Sequence, residues 1–146
     1  MNISARVENC RGSHSVTVAT GDREQSLSIN PKFEGMGSSV NGGELLFLAL
    51  ATCYCNDLYR EAQKRNIEVH AVRVEVTGEL GGEGQPAKNI TYSASIDGGA
   101  PQAELLDLLR HTDTIAEIQN TLRTSVPVTL SRCEANSREP DSRGNP

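Results

Sequence analysis

Aromatic residues and basic charge are both scarce in this sequence of 146 residues. It has no tryptophan, three tyrosines and two phenylalanines, and its 14 lysines and arginines face 19 aspartates and glutamates, for a net charge of −5. Nucleic acids and anionic membranes are bound through clustered lysine and arginine, and single strands also through stacked aromatic rings. The composition therefore predicts a protein that binds neither nucleic acid nor a membrane.

Long apolar segments are absent as well. No apolar run approaches the roughly 18 residues of a membrane span, and the opening MNISARVENC lacks the apolar core of a secretory signal. We therefore expect a soluble, cytoplasmic protein whose four cysteines are reduced thiols. Ligand spacings typical of a metal site are missing, so we predict no metal and no cofactor.

Alternating apolar residues predict β-strands in several parts of the chain. Residues 3–29 show the period-two pattern of a three-stranded meander, and residues 69–80 and 90–96 show that of a wide hairpin. A last strand is predicted at Val126–Leu130, where the proline suits an edge position.

Capping patterns predict where the helices begin. Asn41 and Glu44 have the spacing of a capping box at the start of a long helix, and Thr114 and Glu117 have the same spacing at the start of a short one. Pro101 suits the first turn of a helix between them. Because strands do not alternate with helices, the pattern favours an α+β fold with mainly antiparallel sheet.

The first half of the long helix is apolar on every side. Leu45 to Cys53 contains no charged residue, and such a helix is buried all round. One domain of this size rarely encloses a helix completely, so a partner chain is expected to cover one face. We predict a single domain over residues 1–131, followed by a polar and flexible tail over residues 132–146.

The central part of the sequence resembles the OsmC/Ohr family of thiol-dependent peroxidases and stress proteins. The stretch NGGELLFLALATCYCNDLYREAQKRNIEVHAVRVEVTGEL has the family's Glu-Leu-Leu at Glu44–Leu46, a cysteine nine residues after the glutamate, Cys53, and then a valine-rich strand. The segment NTLRTSVPVTL is similar to the family's C-terminal end. The resemblance implies an OsmC-like fold, with antiparallel sheets packed around a long central helix in an intertwined homodimer.

The resemblance also implies a thiol site at the dimer interface. Cys53 would attack an organic hydroperoxide and become a sulfenic acid, which an external thiol reductant would restore. Glu44 and an arginine would tune this thiol. Arg23, in the segment ATGDR, matches the family's Ala-Thr-Gly-x-Arg pattern, and Arg123 is a rival candidate.

The sequence departs from the family pattern at two positions. Ala116 stands where the redox-active members have their second, resolving cysteine, and Gly43 stands where the Ohr branch has its glutamate, so Glu44 fits the broader OsmC-like branch. Cys55 is no replacement, because two helical steps turn its side chain by about 200° from that of Cys53.

Two hypotheses of function therefore stay open. One is a hydroperoxide reductase that works without the usual resolving cysteine. The other is a non-enzymatic OsmC-like scaffold that binds a small apolar or acidic ligand at the dimer interface, with Cys53 merely lining the pocket. A weaker third hypothesis is an interaction scaffold that uses the charged end of the helix. No role is predicted for Cys10 or Cys133.

Overall fold

The computed structural model describes residues 1–135 and has the predicted mixed α+β architecture, with antiparallel sheets and one long helix. Both the N-terminal meander and the later hairpin are present. In chain order the elements are β1 (Ile3–Cys10), β2 (Ser13–Thr20), β3 (Arg23–Leu27), α1 (Gly42–Lys64), β4 (Val69–Leu80), β5 (Ala87–Gly98), α2 (Gln102–Ile115) and α3 (Glu117–Arg123).

The three-stranded sheet β1-β2-β3 has little contact with the rest of the chain. Val7, Val16 and Leu27 are paired across its strands, and Val16 is its one buried residue. Within residues 1–135, this sheet does not pack extensively against any helix or against the second sheet. Its apolar side chains therefore lack the cover that a complete core would give them.

The second sheet, β4-β5, carries the helices on one face. Its apolar side chains are paired in register, Val72 with Ile96, Val74 with Ala94 and Val76 with Tyr92. Because successive side chains of a strand point to opposite faces, these pairs form one apolar surface, and α1 packs on it. The buried core residues are Tyr54, Leu58, Ala62, Ile67, Leu108 and Ala116.

Both ends of α1 follow the signals in the sequence. The Asn41 side chain accepts a hydrogen bond from the backbone N–H of Glu44, whose carboxylate accepts one from the N–H of Asn41, so the capping box is complete. At the other end Asn66 adopts a left-handed conformation with φ 55°, and the N–H of Ile67 donates to the carbonyl of Ala62. This is a Schellman ending.

The predicted capping box at Thr114 and Glu117 is wrong. Helix α2 continues through Thr114, whose hydroxyl donates to the carbonyl of His111 one turn back. The break falls at Ala116, which has extended backbone and stands at the N-terminus of α3 without a side-chain cap. The Thr114 hydroxyl is therefore engaged by the helix that ends, and not by the one that begins.

The predicted last strand is wrong for the described chain. Residues 126–130 are not in a strand, and Val126, Val128 and Leu130 are 56%, 99% and 81% exposed. A strand needs a neighbour to pair its backbone groups, and no described strand lies beside this segment. Of the predicted tail, Arg132–Ala135 have no regular structure and are exposed; the remainder lies outside the described residues.

None of the helices described in residues 1–135 is long and apolar enough to cross a membrane.

Candidate functional site

Cys53 lies where the middle of α1 meets the start of α3, and its side chain is partly buried. The thiol is within hydrogen-bonding distance of two carboxylates. Its Sγ is 3.5 Å from Oδ2 of Asp57, one turn further along α1, and 3.8 Å from Oε2 of Glu117, at the first residue of α3. Residues four apart share a helix face, so the Cys53–Asp57 pair is set by α1 alone, whereas Glu117 arrives through the tertiary fold.

Arg60 joins the two carboxylates on the side away from the sulfur. Its Nη1 is 2.8 Å from Oδ1 of Asp57, and its Nη2 is 3.7 Å from Oε1 of Glu117. The remaining oxygens, Oδ2 and Oε2, are the ones that face the thiol. Arg60 therefore pairs with one oxygen of each carboxylate and leaves the other oxygen of each directed at Cys53.

The surroundings of Cys53 favour its protonated form. Burial is the largest cause that raises the pKa of the thiol, and the negative charges of Asp57 and Glu117 raise it further; the backbone N–H of Ile118 opposes them. No described cationic group acts on the sulfur directly. A reactive cysteine needs a positive environment to stabilise its thiolate, so the described surroundings keep Cys53 as a thiol.

The pKa values of the two carboxylates shift in opposite directions. Burial, and then a hydrogen bond to Glu117, raise the pKa of Asp57. The pKa of Glu117 is lowered, first by its own backbone N–H and then by the hydrogen bond from Asp57. Asp57 is 4% exposed, which explains why it is the partner that holds a proton more readily.

The predicted site residues Glu44 and Arg23 do not contact Cys53 in the described chain. Glu44 is engaged in the capping box of α1, about 13.5 Å along the helix from Cys53. Arg23 begins β3 and lines a shallow surface groove of the N-terminal sheet. The rival candidate, Arg123, is 2.6 Å from Oδ1 of Asp113 and is committed to that ion pair.

The other thiols are also separate from Cys53. Cys55 lines a groove beside α1 together with Thr52, Asn56 and Val74, whereas Cys53 faces α3. Cys10 and Cys133 are exposed. Ala116 is fully buried and directly precedes Glu117. The position at which the resemblance predicts a resolving cysteine is thus next in the chain to a residue that contacts the Cys53 sulfur.

Three functional candidates, Asp57, Arg60 and Glu117, were not found by sequence reasoning. Asp57 and Arg60 stand four and seven residues after Cys53, which places them on one face of the helix. That spacing was a usable signal. Glu117 lies 64 residues away from Cys53, and no local pattern connects the two.

Cys53, Asp57 and Glu117 could together hold a divalent cation. Their three ligand atoms lie within 4.8 Å of one another, and a thiolate with carboxylates is a donor set that zinc accepts. Arg60 already supplies positive charge to both carboxylates. The two carboxylates therefore already have a cationic partner in the described part of the chain.

Comparison with known proteins defines the class of this α+β fold. The OsmC-like protein family matches residues 35–131, which is more than half of the chain. The chain belongs to the OsmC-like protein family. No curated protein sequence matches it significantly.

Solved structures agree on the fold. An OsmC-like protein from Mycoplasma pneumoniae superposes with a TM-score of 0.58 at 19% identity, covering 84% of this chain and 86% of that one. The organic hydroperoxide resistance protein OsmC from Legionella pneumophila gives 0.54 at 21% identity, covering 84% and 90%. An organic hydroperoxide resistance protein from Elizabethkingia anophelis gives 0.54 at 19%, covering 84% and 89%. At these identities the similarity shows the fold alone.

Proposed function

We propose that this protein reduces organic hydroperoxides through Cys53. The observation that carries the proposal is the position of Cys53 on α1, beside groups that can accept and return a proton. Cys53 also stands nine residues after Glu44, the spacing by which it resembles the family's cysteine. Two solved structures of the same fold are of organic hydroperoxide resistance proteins. An external thiol would then reduce the sulfenic acid, since no second cysteine lies beside Cys53 in the described chain.

We also propose that the active form is a homodimer. The N-terminal sheet lacks packing partners within the described residues, Leu48 on α1 is 59% exposed, and the apolar segment 126–130 has no strand beside it. A second copy could cover all three surfaces at once. Burial of apolar surface is worth about 25 cal/mol per Å², so covering these surfaces would make a favourable contribution to the free energy of association.

The dimer has a consequence for the thiol. Because the described part of the chain provides no cation that acts on the sulfur, we propose that a second copy brings one to it. Arg23 is the stronger candidate, since Arg123 is already paired with Asp113. Glu44, held at the start of α1, would orient that arginine in the assembled site.

The proposed activity is tested by reaction of the reduced protein with cumene hydroperoxide. We expect one equivalent of hydroperoxide to be consumed for each chain, with a dimedone-trappable sulfenic acid on Cys53, identified by mass spectrometry. Dithiothreitol should then restore the thiol and permit repeated turnover. Absence of both consumption and dimedone adduct would overturn the proposal.

Ala116→Cys is expected to restore an internal disulfide with Cys53. Position 116 directly precedes Glu117, whose carboxylate reaches the Cys53 sulfur, and a disulfide requires Cα atoms about 4.4–6.8 Å apart. Mild hydroperoxide should lower the mass of the variant by about two units, the two thiol hydrogens lost on disulfide formation. Ala116→Ser, of similar size, is the matched control.

Two outcomes would contradict this prediction. If the oxidised wild type already shows a disulfide that includes Cys53, another cysteine resolves the sulfenic acid. If the Ala116→Cys protein folds but forms no disulfide, position 116 is not the family's resolving position. Excess peroxide should over-oxidise wild-type Cys53 to sulfinic acid faster than it does in the variant.

A second candidate function is a non-enzymatic scaffold that binds a small ligand. The environment that raises the pKa of Cys53 favours it, because an inert thiol would suit a cysteine that only lines a pocket. The hydroperoxide experiment separates the two candidates. The scaffold predicts an unmodified Cys53 even after long exposure to cumene hydroperoxide.

A further inference from the structure

Two contacts hold the carboxylate of Asp57 so that it faces the Cys53 sulfur. Its position four residues after Cys53 on α1 brings Oδ2 to 3.5 Å from Sγ, and Arg60 holds the other oxygen, Oδ1, at 2.8 Å. The side chain of Asp57 is 5% exposed, against 65% for that of Glu117. Of the two carboxylates beside the thiol, Asp57 is thus the one shielded from water and anchored at both oxygens.

We propose that Asp57 is a catalytic acid–base, which takes the proton of the Cys53 thiol and returns it to the alkoxide that leaves the hydroperoxide. Arg60 is a positioning residue, which keeps Oδ2 directed at the sulfur. This inference rests on the proposed function, since it assigns a role within the same reaction.

The proton and electrons balance in this step. Asp57 removes the proton from Sγ, and the thiolate attacks the terminal oxygen of R–O–O–H. The S–O bond forms as the O–O bond breaks, so the sulfur loses two electrons and the peroxide gains them. The products are Cys53–SOH and R–O⁻, and the alkoxide takes the proton from Asp57 to become R–OH. The carboxylate is then restored.

Asp57 is suited to both halves of this transfer. A general base works best when its pKa lies near the operating pH, and both burial and Glu117 raise the pKa of Asp57 toward that range. The charged groups that act on it are Arg60 on α1 and Glu117 on α3. Glu61 on α1 contacts Arg60, and His111 on α2 is 3.4 Å from Oε2 of Glu61.

The same geometry gives Asp57 two opposing effects on the thiol. As a negative charge it disfavours the thiolate, so Asp57→Asn should lower the pKa of the Cys53 thiol. The reaction of Cys53 with iodoacetamide at pH 7 should then become faster, by about tenfold for each pKa unit of that decrease. As the proton carrier it is needed for peroxide reduction, so the same variant should reduce cumene hydroperoxide about 100-fold more slowly. A merely structural role would move both rates in one direction.

The experiment uses the full chain with Cys55→Ser, so that Cys53 is the only cysteine in its tryptic peptide, residues 33–60. Alkylation of this peptide is followed by mass spectrometry and sulfenic acid formation by stopped flow. Glu61→Gln is the matched control, because Glu61 is also a buried carboxylate bound to Arg60 but does not contact the sulfur. We expect neither rate to change by more than about twofold in Glu61→Gln, as for a group outside the proton transfer.

Glu117→Gln supplies an independent test at an exposed position. Peroxide reduction should fall as pH drops through the pKa of Asp57, because the protonated acid cannot accept the thiol proton. Removal of the Glu117 charge lowers that pKa, so the acid limb of the rate profile should move to lower pH. An acid limb that stays in place would overturn the role of Asp57, even if Asp57→Asn fails to fold.

The remaining outcomes are also decisive. Equal peroxide rates in wild type and Asp57→Asn, or faster peroxide and alkylation rates together, would show that Asp57 only restrains the thiol, and would overturn the inference while leaving the proposed function intact. A wild type that consumes no hydroperoxide would overturn both.

Discussion

Replacement of Cys53 by serine is expected to abolish hydroperoxide consumption, with a loss of more than about 100-fold, as for other removed nucleophiles. A serine hydroxyl is a weaker nucleophile than a thiol, and it has no sulfur that could be oxidised to a sulfenic acid. Because the carboxylates of Asp57 and Glu117 can accept a hydrogen bond from either group, the fold should be retained. The effect is measured as the rate of cumene hydroperoxide consumption, which is monitored through the oxidation of dithiothreitol.

Cys55→Ser is the matched control for this loss. The two cysteines are separated by one residue on the same helix, but Cys55 lies in the groove beside Val74, away from α3. We expect this variant to keep most of the wild-type rate. Equal losses in the two variants would contradict the assignment of Cys53, as would full activity of Cys53→Ser.

Leu48→Glu is expected to convert the proposed dimer into a monomer. Leu48 is 59% exposed on a helix that is otherwise apolar around it, and burying a leucine side chain is worth about 1.5–3 kcal/mol. A carboxylate at this position would lose that contribution and would also need to be desolvated. Sedimentation velocity at micromolar concentration should show a mass near 15.7 kDa, compared with twice that for the wild type.

Leu106→Glu tests whether the effect is specific to α1. Leu106 is also an exposed leucine on a helix, 41% exposed on α2, and the same substitution there should leave the dimer intact. A wild type that sediments as a compact monomer would overturn the proposed assembly. Loss of hydroperoxide reduction on dissociation of Leu48→Glu would support a site that needs both copies.

The strands of both sheets, the start of α1 and the family were predictable from patterns within the sequence. Period-two alternation placed the strands of both sheets, and the Asn41–Glu44 spacing placed the start of α1, because both signals act between residues close in the chain. The order of Glu44, Cys53 and the valine-rich strand was sufficient for the resemblance to OsmC-like proteins, which the family match over residues 35–131 confirms.

Two local patterns gave wrong predictions, because residue types alone do not show which groups will pair. Threonine often caps helices, yet the hydroxyl of Thr114 donates a hydrogen bond to the carbonyl of His111 in the preceding turn. Residues 126–130 have the pattern of a strand, yet pattern alone cannot supply the strand that would pair with them. In both cases the residue type was informative, but the pattern did not identify the partner.

The chemistry around the thiol depends on how the helices pack. Sequence reasoning assigned Glu44 and Arg23 to Cys53, whereas the described fold brings Asp57 and Glu117 to it. Glu117 reaches the sulfur because α3 packs against α1, a contact between segments 64 residues apart. The electrostatic environment of a side chain is a sum over everything near it in space, so the state of Cys53 follows from packing that no local sequence pattern records.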